Sequence, residues 1–296
     1  MKGSPSTGSG RSGVEVSEAI REAAQRLAAT SDTARLDAEL LMAHALGVSR
    51  SDVLLRRMQD DAPGTYAALV ERRGAREPVA YITGRQEFFG LDFEVSPDVL
   101  IPRGDSETIV RAALETAPGA RRVLDLGTGS GALLLAVLSE LPAASGVGVD
   151  ASSAALEVAR RNAEALELAS RARMQERDWT MTGWADDLGQ FDLILANPPY
   201  VEDAAALDPD VRDYEPASAL FAGPEGLDDY RILIPQLPQL LSEGGIAVLE
   251  IGASQAQAVG EIARAHGFAA SAHTDLGGRD RALVLRLRVG KGDSSS

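Results

Sequence analysis

The sequence predicts an α/β protein in which a small helical domain precedes a mostly parallel sheet covered by helices on both faces. Three observations carry that expectation. Residues 14–76 repeat apolar side chains at helical spacing. Beyond residue 105, short apolar runs alternate with helical stretches, and the first of those runs opens directly into a glycine-rich turn. With 296 residues and 45% apolar content, the chain is long enough for about two domains at roughly 150 residues each.

Residues 1–13, MKGSPSTGSGRSG, and residues 289–296, ending GKGDSSS, are too rich in glycine and serine to bury surface and read as disordered tails. From 14 to 76, Ala19, Ala23 and Leu27 and then Leu36, Leu40, Leu41 and Ala45 follow a helical period, and Gly47 closes the second helix. From 77 to 104, Tyr81, Phe88, Phe89, Phe93, Val95 and Ile101 alternate with Gly84, Gly90 and Pro97, which predicts a connecting β hairpin. From 105 to 288 come RRVLDLG (121–127), SGVGVD (145–150), a third strand at 171–175, FDLILA (191–196) and GIAVLEIG (245–252). Helical stretches such as 155–166 and 254–266 separate them. Continuous apolar strands with intervening helices belong to a parallel sheet buried on both faces. The final segment holds ALVLRLRV close behind another strand with no helix between, so an antiparallel pair should end the sheet.

Charge and composition exclude several function classes. There are 29 basic and 44 acidic residues, a net charge of −15, and no stretch dense in lysine or arginine. Such a field repels a phosphate backbone, so direct nucleic-acid binding is not expected and a protein or small-molecule partner is favoured. The absence of cysteine excludes disulfides, thiolate metal sites and cysteine nucleophiles. His44, His266 and His273 lie far apart, and no metal site is read from them. No run of 18 apolar residues and no hydrophobic signal core is present, which predicts a soluble cytoplasmic protein without membrane attachment.

The first turn of the sheet region reads Asp125-Leu126-Gly127-Thr128-Gly129-Ser130-Gly131 and lies between a strand and a helix. Glycines there let the backbone turn sharply and approach a ligand, while the helix N-terminus presents unpaired N–H groups. A glycine-rich turn is a weak signal by itself, because dinucleotide-binding folds share it and some turns are only tight packing. The spacing here is G-x-G-x-G in place of G-x-G-x-x-G, with Asp125 two residues ahead. Asp150 ends the next strand, where a carboxylate accepts from both hydroxyls of a ribose. Asp178 and Trp179 follow the third strand, where an indole face covers a purine and a carboxylate meets its amine; the alternative is a tryptophan that anchors a loop.

Asn197-Pro198-Pro199-Tyr200 stands at the carboxyl end of the fourth strand, the edge where open α/β sheets bind ligands. Each proline fixes φ near −65° and keeps the preceding residue extended, so the corner is stiff. A planar amide or arylamine nitrogen is a poor nucleophile because its lone pair is delocalised. The Asn197 side-chain oxygen and the Pro198 carbonyl can each accept one hydrogen of such an NH₂ and aim the lone pair at a cofactor methyl, with Tyr200 against the flat face. Orientation of that kind supplies on the order of 7 kcal/mol. The transfer is direct, so no nucleophilic residue and no covalent enzyme intermediate are required.

With these motifs in place the chain resembles the release factor glutamine methyltransferase family, whose fold is that of class I methyltransferases. The resemblance covers all but the tails. It rests on VLDLGTGSGA and NPPY together with EPVAYITGRQEFFGLDF (77–93), VLIPRGDSE (99–107), EPASALFAGPEGLDDYR (215–231), LEIGASQ (249–255) and DLGGRDR (275–281). It implies a Rossmann-like, mostly parallel seven-stranded sheet. It also implies that S-adenosylmethionine contacts Gly127 to Gly131, Asp150, Trp179 and Asn197, that residues 197–200 hold a substrate glutamine, and that the helical domain grips a class I peptide chain release factor. The sequence departs from the family at IPRGDSE and at Arg177. The rival readings are an adenine or guanine exocyclic-amine methyltransferase, a ribosomal-protein glutamine methyltransferase, a non-catalytic cofactor-binding module and a nicotinamide-dependent oxidoreductase.

Overall fold

The computed structural model describes residues 13–288, so the tail readings at 1–12 and 289–296 lie outside the described residues. The chain forms two compact units that divide between Thr83 and Gly84.

The first unit holds α1 (Val16–Leu27), α2 (Ala34–Leu46), α3 (Arg50–Asp52) running into a π-helical turn at Val53–Arg57, α4 (Tyr66–Gly74) and α5 (Val79–Thr83). Val16, Ile20, Ala23 and Leu27 make the apolar stripe of α1 and pack with Leu41, Met42, Val53 and Val70. Gly47 closes α2 with φ of +66°, as its position predicts. The buried face of α2 takes in Leu41 with Ala38 and Met42, but not every leucine of the stripe. Leu36 is 40% exposed, whereas Asp37 and Glu39 are buried. Asp37 forms a buried ion pair with Arg73 at 2.7 Å and accepts the Ser31 and Thr33 hydroxyls, so its charge is paired and its oxygens are satisfied.

The second unit begins with a hairpin, β1 (Arg85–Phe88) and β2 (Leu91–Glu94), paired antiparallel. Phe89 and Gly90 both take positive φ, the geometry of a two-residue turn that matches strand twist. The Phe88 and Phe93 rings meet edge to face at 6.2 Å. Within the span 77–104 the strands are therefore confined to 85–94, and residues 79–83 form a helical turn.

Then follow α6 (Glu107–Thr116), β3 (Arg122–Leu126), α7 (Ala132–Glu140), β4 (Ser145–Asp150), α8 (Ser153–Ala165), β5 (Ala172–Glu176) and β6 (Phe191–Ala196). After them come α9 (Pro209–Arg212), α10 (Asp228–Leu233), α11 (Leu237–Leu240), β7 (Leu241–Glu250), α12 (Ala256–Ala265), β8 (Phe268–Thr274) and β9 (Asp280–Leu287). The seven strands run in the order β5-β4-β3-β6-β7-β9-β8. The first five are mutually parallel, and β9 is antiparallel to both β7 and β8. The expected antiparallel pair thus ends the sheet.

Side chains alternate between two cores, as strand geometry requires when both faces are covered. Val123, Leu193, Leu195 and Val248 face one core, while Leu124, Leu126, Ile194 and Leu249 face the other. From β3 the chain winds outward to β5 and then returns to start β6 on the other side of β3. That reversal opens a crevice at the carboxyl ends of β3 and β6, the place where such sheets bind ligands. Among the described residues, no helix is long and apolar enough to cross a membrane.

Candidate active site

The register pairs Leu126 of β3 with Ala196 of β6. The next residues along the two strands, Gly127 and Asn197, therefore leave the sheet side by side, and the glycine-rich turn and the asparagine-led corner both border one cavity of about 560 Å³.

Local chemistry shapes the turn. Gly127 has φ of +71°, and a Cβ there would stand 3.1 Å from the Trp179 indole. Glycine takes that backbone without strain and leaves room for the indole to lie against it. The amides of Gly127 and Thr128 both bond to the Val149 carbonyl at 2.9 Å, tying the turn to β4. Asp150, at the end of β4, accepts the Gly129 amide at 2.9 Å with one oxygen and the Ser152 amide at 2.9 Å with the other. Its carboxyl is held above the usual range because burial outweighs those amide bonds. Each oxygen keeps a second lone pair for a ligand hydroxyl. The Ser130 carbonyl accepts from Asn162, which also bonds the backbone of Glu94 on β2, so the hairpin braces the turn.

The structure separates the predicted residues into two groups. Gly127, Thr128, Gly129, Ser130, Asp150, Asp178, Trp179, Asn197 and Pro199 line the cavity, whereas Asp125, Gly131, Pro198 and Tyr200 do not. Asp125 is buried beneath the turn and accepts the Thr128 hydroxyl at 2.6 Å. Gly131 starts α7 with φ of +83°. Pro198 is buried, and the Tyr200 ring packs on the second core with its hydroxyl donating to Glu250 at 3.2 Å. The Tyr200 carbonyl accepts from Gln255 at 3.1 Å.

Sequence reasoning missed Asp229 and Glu215 here. Asp229 lines the cavity and accepts the Trp179 indole N–H at 3.0 Å, fixing the ring plane. Arg103, also on the wall, pairs with the buried carboxylate of Glu215, which in turn accepts the Ile101 amide at 3.2 Å. No short-range pattern announces such partners, because each pair joins segments far apart in the chain.

Burial pushes the Asp125 carboxyl up to about 7 and the nearby Asp150 adds to the shift, while the Thr128 hydroxyl and the Leu134 amide oppose it. A group that holds its proton more tightly when folded favours the fold at low pH and loses that contribution as pH rises through the folded value. Stability should therefore decline from about pH 4 to about pH 7 on this account, by on the order of 3 kcal/mol. Asp125→Asn, which keeps an acceptor for Thr128, is expected to flatten that decline and to raise the melting temperature at pH 8 but not at pH 4. Parallel melting curves for the two proteins across this range would refute the assignment.

Comparison with known proteins extends the geometry. The family described as PrmC N-terminal domain matches residues 18–84, and the methyltransferase small domain matches residues 106–212. A release factor glutamine methyltransferase of Caulobacter vibrioides is 44% identical over 262 residues, covering 86% of this chain and 89% of that one. One from Moorella thermoacetica is 42% identical over 283 residues, covering 92% and 98%. Among solved structures, the hMettl16 catalytic domain in complex with MAT2A 3′UTR hairpin 6 superposes with a TM-score of 0.56 at 15% identity, covering 74% of this chain and 83% of that chain. At that identity the likeness concerns the fold alone.

Proposed function

Because the chain belongs to the release factor glutamine methyltransferase family, we propose that it transfers a methyl group from S-adenosylmethionine to the side-chain amide nitrogen, N5, of the glutamine in the Gly-Gly-Gln motif of class I peptide chain release factors. The observation that carries this reading is the adjacency of Gly127 and Asn197 across the β3–β6 crevice, on the wall of one cavity.

The residues present fit such a cofactor. Gly127 and Gly129 carry no Cβ toward the crevice. Asp150 offers two carboxylate oxygens, and the Trp179 indole is held in plane by Asp229. Four carboxylates, Asp98, Asp150, Asp178 and Asp229, line the cavity against the single guanidinium of Arg103, an environment that suits a cationic ligand. When bound, S-adenosylmethionine supplies a methyl group activated by its sulfonium centre. The protein's part is orientation and electrostatics. Gly127 to Ser130 and Asp150 would hold the cofactor with Asp178 and Trp179. The Asn197 Oδ1 and the Pro198 carbonyl, whose peptide group leads into the cavity-lining Pro199, would accept the two N–H bonds of the acceptor amide and align its lone pair as the nitrogen pyramidalises. Pro199 stiffens the corner, and Tyr200 backs it.

The helical domain, residues 14–76, is assigned to recognition of the release factor, 77–104 to the connector, and 105–288 to cofactor binding and catalysis. A substrate of the translation machinery places the reaction in the cytoplasm. The net charge of −15 disfavours nucleic acid as the direct acceptor. Incubation with labelled cofactor and, separately, release factor, DNA, tRNA and ribosomes tests the reading. The label is expected on one glutamine of the release factor, mapped by mass spectrometry. Label in nucleic acid and none in the release factor would overturn it.

A further inference from the structure

The carboxylate of Glu250 is a buried acid beside the reacting corner that has no part in the transfer as described. It ends β7, and the pairing of Ala196 with Leu249 sets it beside Asn197 on the neighbouring strand. Its residue is only 2% exposed. A charged group at such a place is costly unless it is bound, and an apolar or amide side chain would serve a purely structural role at less cost. Groups from four elements face it. Tyr200, from the corner after β6, donates to Oε1 at 3.2 Å. Tyr230 of α10 donates to its main-chain carbonyl at 2.7 Å. Ser106 and Asp105, from the turn before α6, lie near the carboxyl, as does Arg281 of β9. Ser106, a residue of the cavity wall, turns its hydroxyl toward that carboxyl.

The same tyrosine is clamped at its other end. Gln255 donates to the Tyr200 carbonyl at 3.1 Å, and a Cβ on Gly226 would stand 2.2 Å from that oxygen, so only glycine fits against it. The hydroxyl bond to Glu250 tethers the ring end of the same residue, beside its packing on the core.

We infer that Glu250 is a positioning residue for methyl transfer: by accepting the Tyr200 hydroxyl bond it holds the ring, and with it the Asn197–Tyr200 corner, in the arrangement that grips the acceptor amide. The inference rests on the methyltransferase reading above. An ionised carboxylate only accepts, so Tyr200 must donate and its rotor is set; a protonated Glu250 can itself donate, and the restraint is relaxed. Burial raises the Glu250 carboxyl to about 7, opposed by Ser106, Tyr200 and Arg281 and assisted by Asp105. The corner is therefore best held above that pH.

The kcat on a release factor should climb about tenfold between pH 6 and pH 8, as expected of one ionisation near 7. Glu250→Gln keeps the volume but, like the protonated acid, can donate as well as accept, so the restraint on Tyr200 is relaxed. It is expected to give a flat profile with kcat about 30-fold lower at pH 8 and an unchanged KM for the cofactor, the mark of an interaction that matters in the transition state. Tyr200→Phe should lose a similar factor, and the double variant should be no worse than either single one. Full activity in Glu250→Gln, a surviving pH step, or losses that multiply would each overturn the inference.

A second readout needs no turnover. In protein labelled with ¹³C at glutamate carboxyls, the signal missing from Glu250→Gln should titrate near neutrality and move in Tyr200→Phe. A signal indifferent to Tyr200 would refute the positioning role. An inactive wild-type enzyme with that coupling intact would instead refute the substrate assignment.

Discussion

Asn197→Ala is expected to lower kcat about a thousandfold while cofactor affinity changes by no more than a few-fold, a loss of about 4 kcal/mol of transition-state stabilisation. The substituted side chain lies at the carboxyl end of β6, beside the glycine-rich turn and half-exposed on the cavity wall. Its oxygen is one of two acceptors assigned to the acceptor amide, and without it one N–H is desolvated with no partner while the nitrogen loses its alignment. The fold should survive, because the strand ends at Ala196 and the prolines that stiffen the corner remain. Single-turnover transfer of a labelled methyl group to a release factor, alongside thermal melting, measures both parts. A rate within threefold of wild type in a folded variant would remove Asn197 from the chemistry.

Asp150→Ala should weaken binding of S-adenosylhomocysteine about a hundredfold, or about 2.7 kcal/mol. Two losses combine. The carboxylate accepts the Gly129 and Ser152 amides, so its removal leaves the turn and the start of α8 unanchored beside the cavity. It is also the acceptor assigned to the ribose hydroxyls, and hydrogen bonds to a charged group contribute more than neutral ones. Calorimetric titration gives the affinity directly. Asp150→Asn keeps one acceptor and should fall between wild type and alanine. A change of less than fivefold for the alanine variant would mean that the cofactor lies elsewhere in the crevice.

The features legible in the sequence share a physical property: each is expressed within a few residues. Gly47 at a helix end, the glycines of the turn and the paired prolines act through their own backbone dihedrals. The continuous apolar strands act through their period. The strand sheltering Asn197 therefore occupies Phe191–Ala196, the span its apolar run predicts. The fold class, the antiparallel end of the sheet and the placing of the turn and the corner at strand ends followed from those local signals alone.

Side-chain partnership was a different matter. Trp179 finds Asp229 and Tyr200 finds Glu250 across 50 residues each, Asn162 meets Glu94 across 68, and Arg103 meets Glu215 across 112. The leucines of α2 indicate a helix, yet the Asp37–Arg73 pair, 36 residues apart, puts a charge on its buried face. The Tyr200 ring, expected against the substrate, is drawn toward the core by an acceptor on the neighbouring strand. From its own sequence the chain determined which segments become strands and helices and which short motifs carry the chemistry, because backbone preference is local. The tertiary structure alone decided which buried charges meet and how the site's side chains are held, because those contacts exist only once the sheet order has brought distant strand ends to a common edge.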